Sequence, residues 1–378
     1  MQILSDIPHY GFWFLVILTV LVFVHELGHF TVARLCGVRI EVFSIGFGPE
    51  LFGRTDRHGT RWRVSAIPLG GYVRMFGQGE NVLEGEAALP LTPEEKAVSF
   101  QEKSVWRRMA IVAAGPAANF ILAIVVTAAM YMVLGQPHND PVVDGVVANS
   151  AAEAAGVKPG DRITALNGSP INDFSDLVLQ VQLNLDRPMV LTIERGGQQV
   201  TLTAQPRYTV VKDIFGHEQR IPQLGIQNDG TSVTRTDVGP IQAVSAASAD
   251  TYVQVKTILI TLWQTITGAR SSKDIGSVLR IAEMSGKVAE LGLVATIGFA
   301  VSISINLGLI NLFPVPMLDG GHLVYYAIEA VRGRPLGERA QEWGLRVGLA
   351  LILSLVLFAT WNDLVYLRFF DYLKSLFT

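Results

Sequence analysis

Four stretches of this chain contain no Lys, Arg, Asp or Glu: Tyr10 to Val24, Met109 to Leu134, Leu291 to Leu318 and Val347 to Asn362. A helix that crosses a bilayer needs roughly 20 predominantly apolar residues, because lipid offers its backbone no hydrogen-bond partner. The second and third stretches meet that length. The first and last are shorter, but the first runs on into His25 to Phe30 and the last into Leu364 to Phe370 past Asp363. The pattern predicts a polytopic α-helical membrane protein with four transmembrane helices in the lipid bilayer. Composition agrees: 49% of the 378 residues are hydrophobic and 17% charged, too apolar for a disordered chain. A net charge of −3 provides no global basic field, which argues against a nucleic-acid partner.

The first stretch reads as a span rather than a cleaved signal peptide, since no Lys or Arg precedes it and no small-residue cleavage site follows. The segment after it carries Arg34, Arg39, Arg54, Arg57, Arg61, Arg63, Arg74, Lys103, Arg107 and Arg108. Positive charge stays on the cytoplasmic side of a membrane, so that segment is expected inside the cell. The basic connection with Arg332, Arg334, Arg339 and Arg346 after the third span follows the same rule. Both termini are then expected on the outer side.

Between the second and third spans lies a polar region long enough to fold by itself. Alternating apolar and polar residues predict strands at Asp144 to Val147, Ile163 to Leu166, Met189 to Ile193 and Gln199 to Ala204. A helix is expected over Asp173 to Leu185, capped by Asn172 or Asp173. Val244 to Thr267 and Val278 to Leu291 have helical apolar spacing and few charges, so they are expected on the membrane surface or on the helix bundle. The boundaries that result are a membrane core over 1–135, a β-rich domain over 136–205, an extension and amphipathic linker over 206–287, and a second membrane core over 288–378.

His25-Glu26-Leu27-Gly28-His29 is an H-E-x-x-H pentapeptide. On a helix, positions i and i+4 share a face, so both imidazoles reach one Zn²⁺, while Glu26 is offset by one position and suits a general base. Ionisable groups are costly at the end of an apolar helix and mark a functional site there. The single cysteine, Cys36, excludes a cysteine-built metal site, so further ligands must be His, Asp or Glu. A catalytic zinc takes three protein ligands and keeps a fourth position open. The third is expected from Asn311-Leu-Phe-Pro314-Val-Pro316-Met-Leu-Asp319-Gly-Gly-His322, where two prolines must interrupt the third span. Asp319 is the first candidate and His322 its rival.

With these residues the chain resembles the site-2 protease family of intramembrane zinc metalloproteases, most closely its bacterial branch, the regulator of sigma-E proteases. The resemblance rests on His25 to His29, on Gly115-Pro-Ala-Ala-Asn119-Phe120, on Asn306 to His322, and on an insertion before the third span. It implies His25, His29 and Asp319 as zinc ligands, Glu26 as the catalytic glutamate, and substrate contacts from Asn306, Asn311 and Pro314. Trp62 to Met75 is similar to the family's membrane-reentrant β-loop on the cytoplasmic side, where Gly71, Tyr72 and Val73 would pair with an extended substrate; an ordinary hairpin with Tyr72 and Met75 as core is the alternative. Gly46-Phe-Gly-Pro49 matches a loop of the family. Asp144 to Ala148, Ala154 to Ile163 and Leu166-Asn167-Gly168 follow a bacterial PDZ pattern, implying a PDZ-like domain that takes extended peptides at a sheet edge.

By resemblance the activity is cleavage of single-pass transmembrane substrates, such as anti-sigma factors or remnant signal peptides. The place would be the bacterial inner membrane, with the PDZ-like domain on the periplasmic side. The chain departs from the family in showing one PDZ signature where some members have two, and in reading Gly276-Ser-Val-Leu-Arg-Ile281 before the third span. Two other readings have less support. A metal carrier should show internal repeats, which are not evident, and has no use for Glu26. A non-catalytic PDZ membrane scaffold has no use for the intact His25, Glu26, His29 and Asp319.

Overall fold

The computed structural model describes residues 2–78, 91–212, 218–228, 233–271 and 276–366. The chain divides into two units, one of Met1–Thr127, Ala247–Val255 and Thr265–Thr378, the other of Ala128–Ala246 and Lys256–Gln264. The elements open with α1 (Gln2–Leu35), β1 (Ile40–Thr55), β2 (Arg61–Met75), α2 (Pro93–Val98) and α3 (Val105–Leu134). The β-rich part follows as β3 (Gln136–Asn139), β4 (Gly145–Val146), α4 (Ala151–Ala155), β5 (Arg162–Leu166), β6 (Ser169–Pro170), α5 (Phe174–Asn184), β7 (Met189–Arg195) and β8 (Gln198–Ala204). It continues with β9 (Arg207–Lys212), β10 (Glu218–Gln223), β11 (Ile226–Gln227) and β12 (Val233–Thr236). The chain then returns to helix in α6 (Pro240–Ile266), α7 (Val278–Glu290), α8 (Leu293–Asn311), α9 (Asp319–Arg332) and α10 (Glu338–Tyr366).

Four helical segments are long and apolar enough to cross a membrane: Pro8–Leu35, Val105–Leu134, Leu293–Asn311 and Arg339–Val365. They coincide with the four uncharged stretches but differ at the ends. The first continues through both histidines, because a helix end is set by capping and packing rather than by loss of hydropathy. The last starts earlier than expected, at Arg339; its expected extension to Phe370 lies outside the described residues from 367 onward. The third stops at Asn311, well short of Leu318. Pro314 and Pro316 lack the N–H that would continue the ladder, and Met317 takes φ of 90°. Asp319 accordingly opens the new helix α9 and does not close the third span, as its position at the end of the uncharged run had implied.

The expected β-loop is a larger structure than its sequence indicated. Phe43 pairs with Val73 on one side and Trp62 on the other, and Ser44 likewise with Tyr72 and Arg63. The second half of β1 returns to pair Glu50 with Ser65 and Arg54 with Trp62. Two bent strands thus make four segments in the order 71–75, 40–45, 61–65, 50–55. Gly46 and Gly48, at φ 87° and 84°, allow β1 to reverse, so the segment read as a loop is a bend within a strand. Among the described residues the outer edge of segment 71–75 carries no further strand. One face of the sheet packs on α1 and α3 through Phe30, Phe43, Met75 and Ile111, with Phe100 of the α2–α3 connection in the same cluster, and Phe43 stacks on Trp62 at 4.4 Å.

In the same unit α7 packs on α1 and makes lighter contacts with α8 and α10. The unusual Gly276–Ile281 segment starts this helix: Ser277 caps it, and the buried Asp363 of α10 accepts from the Ser277 N–H at 2.7 Å and the Arg280 N–H at 3.2 Å.

In the second unit three of the expected strands, β5, β7 and β8, form with β6 a sheet of order β6-β5-β7-β8 around Ile163, Leu166, Met189, Leu191 and Ile193, while the strand expected at Asp144 to Val147 is the short β4, outside that sheet. Turn chemistry sets its register: Asn167 and Gly168 both adopt positive φ between β5 and β6. The helix expected at Asp173 is α5, with Asp173 as its N-cap and Asp176 closing a capping box. Beyond this sheet, β9 pairs with β10, β11 with β4 and β12 with β3.

Candidate metal centre

His25 and His29 lie one turn apart on α1 and are 8% and 9% exposed. Their Nε2 atoms stand 3.2 Å apart. Asp319, the first residue of α9, brings Oδ2 to 3.1 Å from His25 Nε2 and 3.5 Å from His29 Nε2. Gly320 and Gly321 permit this approach, because a Cβ on either would collide with the carbonyls of Leu312, Phe313 or Val315 in the preceding turn. His322 is not part of the three-residue cluster, so between the two candidates for the third position the geometry selects Asp319.

Helix α3 orients both imidazoles. His29 Nδ1 lies 2.9 Å from the Ile111 carbonyl, which only accepts, so Nδ1 carries the proton and Nε2 keeps its lone pair for the centre. The fully buried Asn119 amide lies 3.1 Å from His25 Nδ1. Its Oδ1 has no hydrogen-bond partner with the amide in this orientation. A half-turn of the amide, which exchanges O and N, lets Oδ1 accept from His25 Nδ1–H and gives His25 the same tautomer as His29. Gly115 leaves room for the pair, since a methyl there would overlap both Nε2 atoms. Gly28 allows α1 to approach Ala114 and Ala118 of α3 equally closely. Ser304 on α8 donates to the Asn119 carbonyl at 3.0 Å, tying a third helix to the same place.

The donor set fits a zinc ion. Metal–ligand bonds of about 2.0–2.1 Å at tetrahedral angles separate two ligand atoms by roughly 3.3–3.4 Å, and the observed separations run from 3.1 to 3.5 Å. Two imidazoles held in one tautomer and one carboxylate suit that ion.

A cavity of about 380 Å³ opens beside the cluster, lined by Glu26, Gly71, Tyr72, Val73, Asn311, His322 and Tyr326 among others. Glu26 and Val73 line the same wall, and the Tyr72 hydroxyl accepts from Arg63. The wall therefore includes the outer segment of the sheet: Tyr72 and Met75 both line it, and Met75 is also part of the core. Two residues expected at the substrate are elsewhere. Asn306 donates to the Ser302 carbonyl of its own helix at 2.8 Å, and neither it nor Pro314 lines the cavity. Sequence reasoning missed the supporting residues: Gly115, Asn119 and the half-buried Arg108–Glu329 ion pair at 2.5 Å, which joins α3 to α9. The Gly115–Asn119 motif was visible, but nothing in it pointed to the histidines of another helix.

Long apolar helices with His25, Glu26 and His29 on one and Asp319 opening another define a class: a helical protein of membrane type built around a His-His-Asp centre. The peptidase family M50 model matches residues 13–355, and the chain belongs to that family. The likeness to the site-2 proteases thus extends over nearly the whole sequence. A protein of Agrobacterium fabrum, provisionally named a zinc metalloprotease, is 44% identical over 93% of this chain and 94% of its own length. A similarly named protein of Rhizobium meliloti is 44% identical over 94% and 96%. A Caulobacter vibrioides protein named metalloprotease MmpA is 38% identical over 96% and 97%. Among solved structures, the PDZ domain of an SdrC-like protein from Listeria monocytogenes aligns with 24% of this chain and 86% of that chain, at 17% identity and a TM-score of 0.19.

Proposed function

We propose that this chain is an intramembrane zinc metalloprotease, an endopeptidase that cuts the transmembrane segments of single-pass membrane proteins. The observation that carries the reading is the convergence of His25 Nε2, His29 Nε2 and Asp319 Oδ2 within 3.1–3.5 Å of one another, with Glu26 on the adjoining cavity wall. His25, His29 and Asp319 hold the ion, and zinc, when bound, supplies Lewis acidity that makes water nucleophilic near neutral pH. Glu26 accepts the proton of the attacking water and delivers it to the amide nitrogen as the C–N bond breaks.

A helical substrate keeps its carbonyls engaged, so it must be extended before attack. Gly71, Tyr72 and Val73 offer the open edge of a sheet to which such a segment adds as a strand, and Asn311 presents a side-chain amide to its backbone. Asn306 and Pro314 act from outside the cavity wall, by shaping the end of α8. The β-rich unit is a PDZ-like domain that screens substrates on the periplasmic face of a bacterial inner membrane. Both termini lie on that face and the metal centre near the cytoplasmic one. The arginines after α1 and after α9 support this orientation. Anti-sigma factors and remnant signal peptides are substrates of the required kind.

The test uses membranes that co-express a tagged single-pass substrate. Glu26→Gln keeps zinc bound and lowers cleavage at least about 10³-fold. Cleavage that survives this substitution rejects the general-base assignment.

A further inference from the structure

The first two turns of α9 present Asp319, His322 and Tyr326 to the cavity, at positions i, i+3 and i+7 of one helical face. Their hydrogen-bonding capacities are spent differently. Asp319 faces the two α1 imidazoles. The Tyr326 ring lies under the Arg108 guanidinium, 4.8 Å from its centroid. His322 is exposed to the cavity, and among the described residues neither ring nitrogen has a hydrogen bond. Its ring is nevertheless held between two others: edge-on to Tyr325 at 6.3 Å, and near-parallel to Tyr326 at 6.5 Å. The result is an imidazole N–H that no protein acceptor engages among the described residues, on the wall of the cavity that Asp319 also lines. Positions i and i+3 of a helix have Cβ atoms about 5–6 Å apart, so the imidazole reaches a group bound next to the Asp319 carboxylate.

Resting on the protease reading above, we propose that His322 is a catalytic residue that donates a hydrogen bond to the carbonyl oxygen of the scissile peptide as negative charge develops there. That oxygen is an acceptor only, and a donor helps most when it is positioned before the reaction starts. Asn311 also lines the cavity, but it is the last residue of α8, before an irregular turn. His322 stands inside a helix whose first residue is Asp319 and whose later residue Glu329 is bound to α3. Donor and metal ligand therefore share one rigid element.

His322→Phe keeps a ring between Tyr325 and Tyr326 and removes the donor; His322→Asn restores a shorter donor. With a single-pass substrate and purified full-length protein in detergent, kcat of His322→Phe should fall about 10²-fold. KM should stay within about threefold and zinc content should not change, while His322→Asn recovers part of kcat. An unchanged kcat overturns the proposal. So does a loss of zinc in parallel with activity, which makes His322 a metal ligand, or a rise in KM alone, which makes it a ground-state contact. If His322→Phe does not accumulate as folded protein, His322→Leu against His322→Asn makes the same comparison. Glu26→Gln measured alongside separates the two levels: if it cleaves like the unmodified protein, the protease reading itself fails, whatever His322 does.

Discussion

Two carboxylates show how differently the two units treat acidic groups removed from water. Asp161, fully buried in the β-rich unit, has its charge answered inside the protein. Arg195 donates to both of its oxygens at 2.7 Å, and the Lys158 N–H at 2.8 Å. Asp319 in the helical unit has an 18% exposed side chain and faces two imidazoles. Among the described residues no Arg or Lys pairs with it. A carboxylate locked to a fixed cation is a structural group, because that cation is already in place. One set against two imidazole lone pairs makes a donor cluster whose counter-charge is a metal. The lesson is that burial does not distinguish a site from a scaffold; the identity of the partner does.

The comparison breaks most sharply at Asp319 itself. Asp319→Ala should lower proteolysis by about 10⁴-fold and remove zinc from the purified protein, as read by metal analysis, because two imidazoles alone make an incomplete catalytic site. Retention of full zinc content would show that the carboxylate is not a ligand. Asp161→Ala should do the reverse, leaving zinc content unchanged while destabilising the β-rich unit, since the Arg195 guanidinium and the Lys158 N–H lose the acceptor they share.

The same pair has a pH signature. Burial alone would raise the Asp161 carboxyl, but the Arg195 guanidinium and the Lys158 N–H outweigh it and hold it below the ordinary range. The charged form is thus favoured in the folded state. Its stabilisation should be complete above the ordinary carboxylate pKa of about 3.9 and be lost as pH falls through the lower native value. Thermal unfolding of the full chain in detergent, followed by β-sheet circular dichroism from pH 7 downward, measures this, and Asp161→Ala should flatten the profile.

The smallest effect sharpens the helical side of the comparison. Asn119→Leu should reduce zinc affinity about 10- to 100-fold without abolishing it, because the amide orients His25 and does not touch the ion. Competition with a chelator of known affinity reads the change, and an unaltered affinity would remove Asn119 from the account.

Much of the β-rich unit was legible because its signals are local: alternation within β5, β7 and β8, the Asn167–Gly168 turn, and the Asp173 cap all act over a few residues. The four-segment sheet of the helical unit was not. Gly46, Gly48 and Pro49 normally punctuate chains, and nothing nearby indicates that here they bend one strand so that it pairs on both sides. Asn306 parts from Asn311 for a related reason. It stands within a turn or two of Asn311, but its amide bonds the Ser302 carbonyl of its own helix, and of the two only Asn311 lines the cavity.

What the amino-acid order determined by itself were the features governed by short spacing: four runs without charge, two histidines on one helical face with a glutamate between them, and two prolines that forbid the third helix from reaching Asp319. Tertiary structure alone decided the rest. It chose Asp319 over His322 as the partner of those histidines and used Gly115 and Asn119 of α3 to seat and orient them. It also turned Gly71 to Val73 toward the same cavity. The reason is that helical periodicity is set by covalent geometry within a single turn, whereas the meeting of α1, α3, α9 and a sheet edge depends on close packing between segments as much as 294 residues apart, His25 and Asp319.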